Sequence, residues 1–140
     1  MALTPTPQNA GEIAKIAVAW ALENYGTRLN YNVPSLQQVD GILDDLRLDQ
    51  KFEAMQPLLF SLGCYVGEVF VRSAGGRWST TEELKMVAAA TSPIVVRLRD
   101  GRGCNPVGKV YKRFQNGPDD SLVSFYEAMT GAPAALQPKE

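Results

Sequence analysis

The chain has 140 residues, a formal net charge of -1 and a hydrophobic content of 45%. A chain of this length can bury the core of one domain, and its average composition excludes a fibrous or intrinsically disordered protein. It contains no histidine, which excludes Ser-His-Asp and Cys-His catalysis and histidine metal sites. Its two cysteines cannot fill a structural zinc site by themselves.

The ends of the chain are predicted to be less ordered than its middle. Residues 1–8, with prolines at positions 5 and 7, are predicted as a flexible arm and 132–140 as a disordered tail, which leaves 9–131 as a single domain. The domain opens with a helix whose first residues, Asn9 and Glu12, have the spacing of a capping box. The predicted buried face of this helix consists of Ile13, Ile16, Ala17, Trp20 and Ala21.

A second amphipathic helix is predicted over 35–46, where Ser35 and Gln38 repeat the capping-box spacing. Its acidic positions lie on the side opposite to its apolar positions. The acids of this helix and of the loop behind it are Asp40, Asp44, Asp45 and Asp49. Because adjacent helical residues diverge by about 100°, a solvated acidic face is favoured over a metal site or a catalytic pair.

The longest apolar run, 58–78, predicts a central buried helix over roughly 57–74, since its large apolar residues recur at steps of three and four. Gly63 and Gly67 lie one turn apart in it. Each costs about 1 kcal/mol relative to alanine in a helix interior, so both predict the close approach of a neighbouring segment. Pro57 leaves two alternatives open, a break between two helices or a kink within one.

Glu68 lies among the apolar positions of the central helix and therefore needs a partner. Arg72, one turn further on, and Arg77, beyond the helix stop, are the two candidates. Together with Trp78 they form a predicted structural group that ties the helix to the next strand. The alternative is a small-ligand or enzymatic site at the same residues, because two guanidinium groups can orient a carboxylate or phosphate. The charges of Glu68 and Arg72 also argue against a membrane span.

A small antiparallel sheet is predicted over roughly 76–104. Its clearest strand, 93–99, ends in an Asp-Gly turn, whereas 84–88 suits either strand or helix. Arg97 and Arg99 alternate with apolar residues, which predicts one basic face and one apolar face.

Two further helices complete a predicted α+β fold of about five helices around the central one. The first begins at Asn105-Pro106 and exposes Lys109, Lys112 and Arg113. Asp119 or Asp120 is the predicted cap of the last helix.

Charge is unevenly distributed along the chain. Acids outnumber bases eight to four up to Val71, and bases outnumber acids nine to three from Arg72 to Arg113. This predicts a surface with one acidic and one basic face. The net charge and a pI near 5.5 disfavour a nucleic-acid partner. Cys64 and Cys104 are expected to be free, although a disulfide between them is left open.

The chain resembles an uncharacterised family of small bacterial domains in a core motif, Leu62-Gly63-x-Tyr65-x-Gly67-Glu68 followed by Arg72 and Gly75-Gly76-x-Trp78. The later parts of the resemblance are Asn105-Pro106 and a final helix around Ser124-Phe125-Tyr126. The resemblance covers roughly 35–130. It implies a compact α+β domain with no established reaction and no catalytic residues to carry over. Some small proteins of this kind resemble immunity or accessory partners of secreted antibacterial toxins.

The functional hypothesis is a non-catalytic, cytoplasmic protein that binds a protein partner, a toxin or effector, with a homodimer left open. Its candidate contact residues are the four aspartates above and the arginines Arg97, Arg99 and Arg102. No cofactor, metal, nucleic acid or membrane is expected. The alternatives are the ligand or enzyme site at Glu68 and a chaperone or adaptor with an apolar groove beside the first helix.

Overall fold

The computed structural model describes residues 3–86 and 92–131, and this part of the chain confirms the predicted α+β fold with five helices and a three-stranded antiparallel sheet. The helices are α1 (Ala10–Tyr25), α2 (Ser35–Leu46), α3 (Phe52–Ala74), α4 (Pro106–Asn116) and α5 (Leu122–Thr130). The strands are β1 (Arg77–Thr80), β2 (Ile94–Arg97) and β3 (Gly103–Cys104), and a 3₁₀ turn at Pro118–Asp120 precedes α5. The predicted tail, 132–140, lies outside the described residues.

The helix α3 runs through the middle of the fold. Every residue from Ser61 to Phe70 is buried, and α1 and α4 pack along its sides. It begins at Phe52 and continues through Pro57, so α3 is one helix, and the alternative of two helices separated by a break at Pro57 is wrong. Among the described residues, α3 is also the one helix whose length and composition would suit a membrane span, and 61% of that window is buried inside the fold.

The two glycines of α3 are contact points for other elements, as their spacing predicts. A Cβ atom at Gly63 would lie 2.6 Å from the Cα of Val107 in α4. A Cβ at Gly67 would collide with the indole ring of Trp78 in β1. Each glycine therefore removes the side chain that would hold a neighbouring element away from α3.

The face that α1 turns toward α3 differs in part from the predicted one. It is a stripe of small residues with one isoleucine: Ala10, Ile13, Ala14, Ala17 and Ala21. Ile16 is 52% exposed, contrary to the prediction. Alanines allow two helices to approach closely, and α1 is thereby rotated so that Ile16 points away from the core.

The three predicted helix caps differ from the structure in different ways. Asn9 occupies the N-cap position of α1, as predicted, but its side chain donates to the carbonyl of Thr4 and makes no capping hydrogen bond. Ser35 lies inside α2, where its hydroxyl donates to the carbonyl of Asn32. The cap of α5 is Ser121, whose Oγ accepts from the N–H of Ser124 at 3.2 Å, in place of either aspartate.

The sheet has the strand order β1-β2-β3, and both of its pairings are antiparallel. In the β1–β2 register Trp78 faces Val96, and Arg77 faces Arg97. Trp78 and Val96 point toward α3, so Arg77 and Arg97 lie on the outer face, because side chains alternate across a strand. The segment 84–88 was predicted as either strand or helix. Its first two residues, 84–85, belong to a turn over 81–85, and 87–88 lie outside the described residues.

The close approach at Gly63 can be tested by substitution. We expect Gly63→Ala to lower the free energy of unfolding by about 1–3 kcal/mol, because its methyl group would press on the backbone of α4. Gly41→Ala is the matched control, since a Cβ at this exposed position of α2 meets no described atom within 4 Å. It should raise stability by about 0.5–1 kcal/mol. Urea denaturation measures both, and equal effects would contradict the packing argument.

Candidate functional site

Both carboxylate oxygens of Glu68 are hydrogen-bonded. Oε2 accepts from the indole Nε1 of Trp78 at 2.8 Å, and Oε1 accepts from the Nε of Arg72 at 3.3 Å. The residue is only 8% exposed. A buried carboxylate that is satisfied by two partners holds β1 against α3, which favours the structural interpretation of this group.

Arg77 differs from the prediction that placed it beside Glu68. It precedes Trp78 on β1, and adjacent strand residues point to opposite faces. Because Trp78 reaches Glu68 on the inner face, Arg77 lies on the outer face, where it is exposed. The structural group therefore consists of Glu68, Arg72 and Trp78.

The guanidinium of Arg72 also stacks on Tyr31, with its Cζ atom 3.6 Å from the ring centroid. Tyr31 has a φ of 68°, an uncommon backbone conformation for a residue other than glycine. Its N–H donates to the hydroxyl of Tyr65 at 2.8 Å, and that hydroxyl lies 2.6 Å from the Oγ of Ser35. These contacts fix the loop between α1 and α2 on the central helix. Sequence reasoning missed the role of Tyr31.

The acidic residues of α2 form the predicted solvated face only in part, because Asp45 is exposed and the side chain of Asp44 is 48% exposed, whereas Asp40 is buried. Asp40 is 8% exposed and accepts from the Nε of Arg113 at 2.8 Å and from the N–H of Leu122 at 3.0 Å. Asp44 accepts from the Nη1 of the same arginine at 2.7 Å. Asp40 is therefore a buried link between α2, α4 and α5. It does not contribute to an exposed acidic surface, contrary to the prediction that it contacts a partner.

Arg113 is the second residue whose role the sequence did not reveal. It was predicted on the exposed side of α4, yet its side chain is 3% exposed. The available signal was the spacing of Asp40 and Asp44, which places two carboxylates one turn apart, within reach of one guanidinium. The remaining acids of the predicted set, Asp45 and Asp49, are exposed, and Asp45 accepts a hydrogen bond from the hydroxyl of Tyr25.

Arg102 of the predicted basic set is engaged within the chain. Its Nε lies 2.6 Å from the carboxylate of Asp100, and its Nη2 donates to the carbonyl of Met129 at 2.7 Å. These bonds hold the β2–β3 turn against the end of α5. By contrast, Arg97 and Arg99 form no ion pair with any described residue, and neither does Arg77.

Arg77, Arg97 and Arg99 line one groove of about 530 Å³ at the end of the sheet, which we call the arginine groove. Its other walls are formed by Pro7, Gln8, Gly75, Trp78, Ser79, Glu83, Leu84 and Leu98. The guanidinium of Arg99 lies across Gly75, where a Cβ would collide with its Nε. Gly75 has a φ of 71°, so both its conformation and this close contact favour glycine.

The arginine groove concentrates like charges. Arg77 and Arg97 are directly opposite each other across the β1–β2 ladder, an arrangement that is destabilising for two cations. Glu83 contributes a carboxylate to the groove wall, but this carboxylate accepts a hydrogen bond from the N–H of Thr80 at 3.0 Å and forms no ion pair with the described arginines. That hydrogen bond lowers the pKa of Glu83, and the charge of Arg97 adds a smaller effect in the same direction. An anion bound between the arginines would relieve their repulsion.

A second groove, of about 720 Å³, lies between α1 and the first half of α3, and we call it the apolar groove. Ile16, Trp20, Leu58 and Phe60 contribute to its walls, and Leu3 of the N-terminal segment borders it. Its position beside the first helix is that of the groove predicted for a chaperone or adaptor.

Neither cysteine is suited to nucleophilic chemistry. Cys64 and Cys104 are free and buried. Burial raises the pKa of each thiol to about 12. Since the thiolate is the reactive form, both side chains act as small apolar residues at neutral pH.

The Arg113 link predicts a dependence of stability on pH. The hydrogen bond from Arg113 holds the pKa of Asp44 below its ordinary value of about 3.9. A carboxylate whose pKa is lowered by folding stabilises the fold above its unfolded pKa, and this contribution is lost as pH falls through the folded value. We expect urea midpoints to fall between pH 5 and about 3 and to fall less steeply in Asp44→Asn. Parallel curves for the two proteins would contradict this role.

The structural role of Glu68 predicts a loss of stability in Glu68→Gln. A glutamine keeps one acceptor but directs its amide N–H groups at Trp78 or Arg72, so the loss should be about 1–3 kcal/mol. The control is Glu23→Gln on the exposed surface of α1, where a change within about 0.5 kcal/mol is expected. Chemical denaturation followed by tryptophan fluorescence measures both variants. A Glu68→Gln protein as stable as the control would overturn the structural interpretation.

Comparison with known proteins adds no functional assignment to this geometry. No family model, curated protein or solved structure matches the chain. The resemblance of roughly 35–130 to a bacterial domain family therefore stays a hypothesis that rests on its motif residues. The arginine groove and the apolar groove are the features from which a function has to be argued.

Proposed function

We propose that this protein is a non-catalytic binding protein, most concretely a cytoplasmic immunity protein that binds and neutralises a cognate bacterial toxin delivered as a secretion-system effector. The observation that carries the binding role is the arginine groove, whose three cations have no ion-pair partner among the described residues. Such a surface favours a partner that presents acidic groups, because complementary potentials speed association and select the partner. The identification of the partner as a toxin rests on the resemblance of roughly 35–130 alone.

The distribution of charge supports the basic face over the acidic one. Arg113 forms ion pairs with Asp40 and Asp44 within the fold, and its single positive charge offsets one of their two negative charges. Asp45 and Asp49 are exposed, and the side chain of Asp44 is 48% exposed. The three groove arginines, by contrast, keep their charge available for a ligand. We therefore expect the acidic surface to belong to the partner.

A second candidate function is an effector chaperone or adaptor, favoured by the apolar groove. Ile16 is 52% exposed there, and Leu3 is 41% exposed. Apolar groups at a rim of this size are typical of sites that hold another protein segment. The enzymatic alternative at Glu68 has less support, because both oxygens of that carboxylate are occupied by Trp78 and Arg72.

The proposal predicts that binding of the partner requires the arginine groove. We expect a variant with Arg77, Arg97 and Arg99 all changed to glutamate to lose a partner that the tagged wild-type chain retains in stoichiometric amount. Loss of close charge pairs typically weakens a complex by about tenfold or more per pair. The same variant should fail to protect cells that express the partner, if the partner is a toxin.

A matched control separates this effect from net charge. Arg28, Lys51 and Lys112 are exposed cations away from the groove, and changing them to glutamate alters the charge by the same amount. This control should retain the partner and the protection. Retention of the partner by both variants would contradict the role of the arginine groove in binding. A retained partner that is harmless when expressed alone would contradict the immunity function.

A further inference from the structure

The outer edge of β1 borders the arginine groove, and the register shows which of its backbone groups are open. The N–H of Thr81 donates to the carbonyl of Pro93 at 3.0 Å, which makes that pair hydrogen-bonded. In an antiparallel ladder such pairs alternate, so Ser79 and Arg77 also bond to β2. The N–H and C=O groups of Trp78 and Thr80 then face away from β2, toward the free edge.

One of these two residues is already occupied. The N–H of Thr80 donates to the Oε1 of Glu83 at 3.0 Å, and its carbonyl accepts from the N–H of Leu84 at 3.3 Å. No described residue forms a hydrogen bond to the outward N–H or C=O of Trp78. The edge therefore offers one donor and one acceptor, placed at the mouth of a groove that Trp78 itself lines.

We propose that the arginine groove takes an extended acidic segment of the partner, which pairs with Trp78 as a short added strand and directs carboxylates at alternate positions toward Arg77, Arg97 and Arg99. This inference rests on the proposed binding function and specifies how the partner is recognised. Strand addition at an exposed edge uses the backbone for affinity and alternate side chains for specificity.

The alternation of the strand determines the positions of the acids. A residue that pairs with Trp78 directs its own side chain to the inner face, as Trp78 does. Its neighbour opposite Arg77 directs its side chain to the outer face, where Arg77 and Arg97 lie. The residue two positions further along faces Gly75, across which the guanidinium of Arg99 lies. An acid-x-acid pattern therefore meets the three cations.

The size of the groove suits a short segment. Its volume of about 530 Å³ lies within the range of about 300–1,000 Å³ that is typical of ligand sites. The Glu83 cap on Thr80 limits the pairing to the end of β1 that carries the arginines. The same cap protects the rest of the edge from unselective strand addition.

The test uses the full chain and fluorescein-labelled peptides, with affinity measured by fluorescence anisotropy. The probe is a short peptide in which glutamate alternates with threonine, and its control is an isomer of the same composition with its glutamates consecutive. We expect the isomer to bind about tenfold more weakly. We also expect an N-methyl group on the residue that pairs with Trp78 to weaken the alternating peptide by a similar factor, since it removes a backbone donor.

Protein variants give the second arm of the test. Arg77→Ala and Arg97→Ala should each weaken the alternating peptide by about tenfold, whereas Arg28→Ala, at an exposed position elsewhere, should leave its affinity unchanged. Equal affinity for the two peptide isomers would overturn strand pairing. Binding of inorganic phosphate to the groove with an affinity equal to that of the alternating peptide would overturn it in favour of a small-anion site.

The outcomes separate this inference from the proposed function. If the partner requires the three groove arginines but the alternating peptide has no advantage over its isomer, the strand mode is wrong and the binding function stands. If the triple glutamate variant retains the partner while the alternating peptide binds selectively to the wild-type chain, the groove recognises an acidic strand. The proposal that this groove binds the retained partner is then wrong.

Discussion

The structure depends on the close approach of two elements to the central helix at the places where that helix has no side chain. Gly63 receives the backbone of α4 at Val107, and Gly67 receives the indole of Trp78 from β1. A methyl group at either position would separate the layers, and a closely packed interior cannot absorb such a displacement without cost. The energetic penalty of two glycines in a helix is offset by these two contacts.

The contact at Gly67 also sets the orientation of the sheet. Glu68 accepts the indole N–H of Trp78, so the ring is fixed in position as well as packed. Because side chains alternate along β1, fixing Trp78 on the inner face requires Arg77 to lie on the outer face. The antiparallel register then brings Arg97 opposite Arg77. The arginine groove is in this sense a consequence of how the strand is anchored to α3.

The division of charge between structure and surface follows from burial. Arg113 of α4 is buried and pairs with two carboxylates of α2, Asp40 and Asp44, of which Asp40 is buried as well. Removing one partner of such a buried pair would leave an uncompensated charge, which is why these residues are interdependent. The groove arginines have no such internal partner among the described residues, and water screens them in part. Solvent screening weakens their repulsion across the ladder, and an anion between them would offset it by attracting both.

Local patterns in the sequence determined much of this fold. Helical periodicity and the glycine pair located α3 and its close contacts, and alternation in 93–99 located β2 and its exposed Arg97. Spacing also indicated the pair of Glu68 with Arg72, because residues four apart on a helix are neighbours. Each of these inferences involves groups close together in the chain, whose geometry is fixed once the type of secondary structure is known.

Tertiary structure alone decided which charges are internal and which are available. Asp40 and Arg113 lie 73 positions apart. The one-turn spacing of Asp40 and Asp44 indicates that one guanidinium could reach both carboxylates, but it does not identify Arg113 as that partner or show that the pair is buried. In the same way, Arg77 and Arg102 both make contacts other than those predicted, since the anchoring of Trp78 turns Arg77 outward and Arg102 donates to the carbonyl of Met129 at the end of α5. A charged side chain is placed by whichever partner the assembled fold brings within about 4 Å, and that partner is a property of the packing rather than of the local sequence.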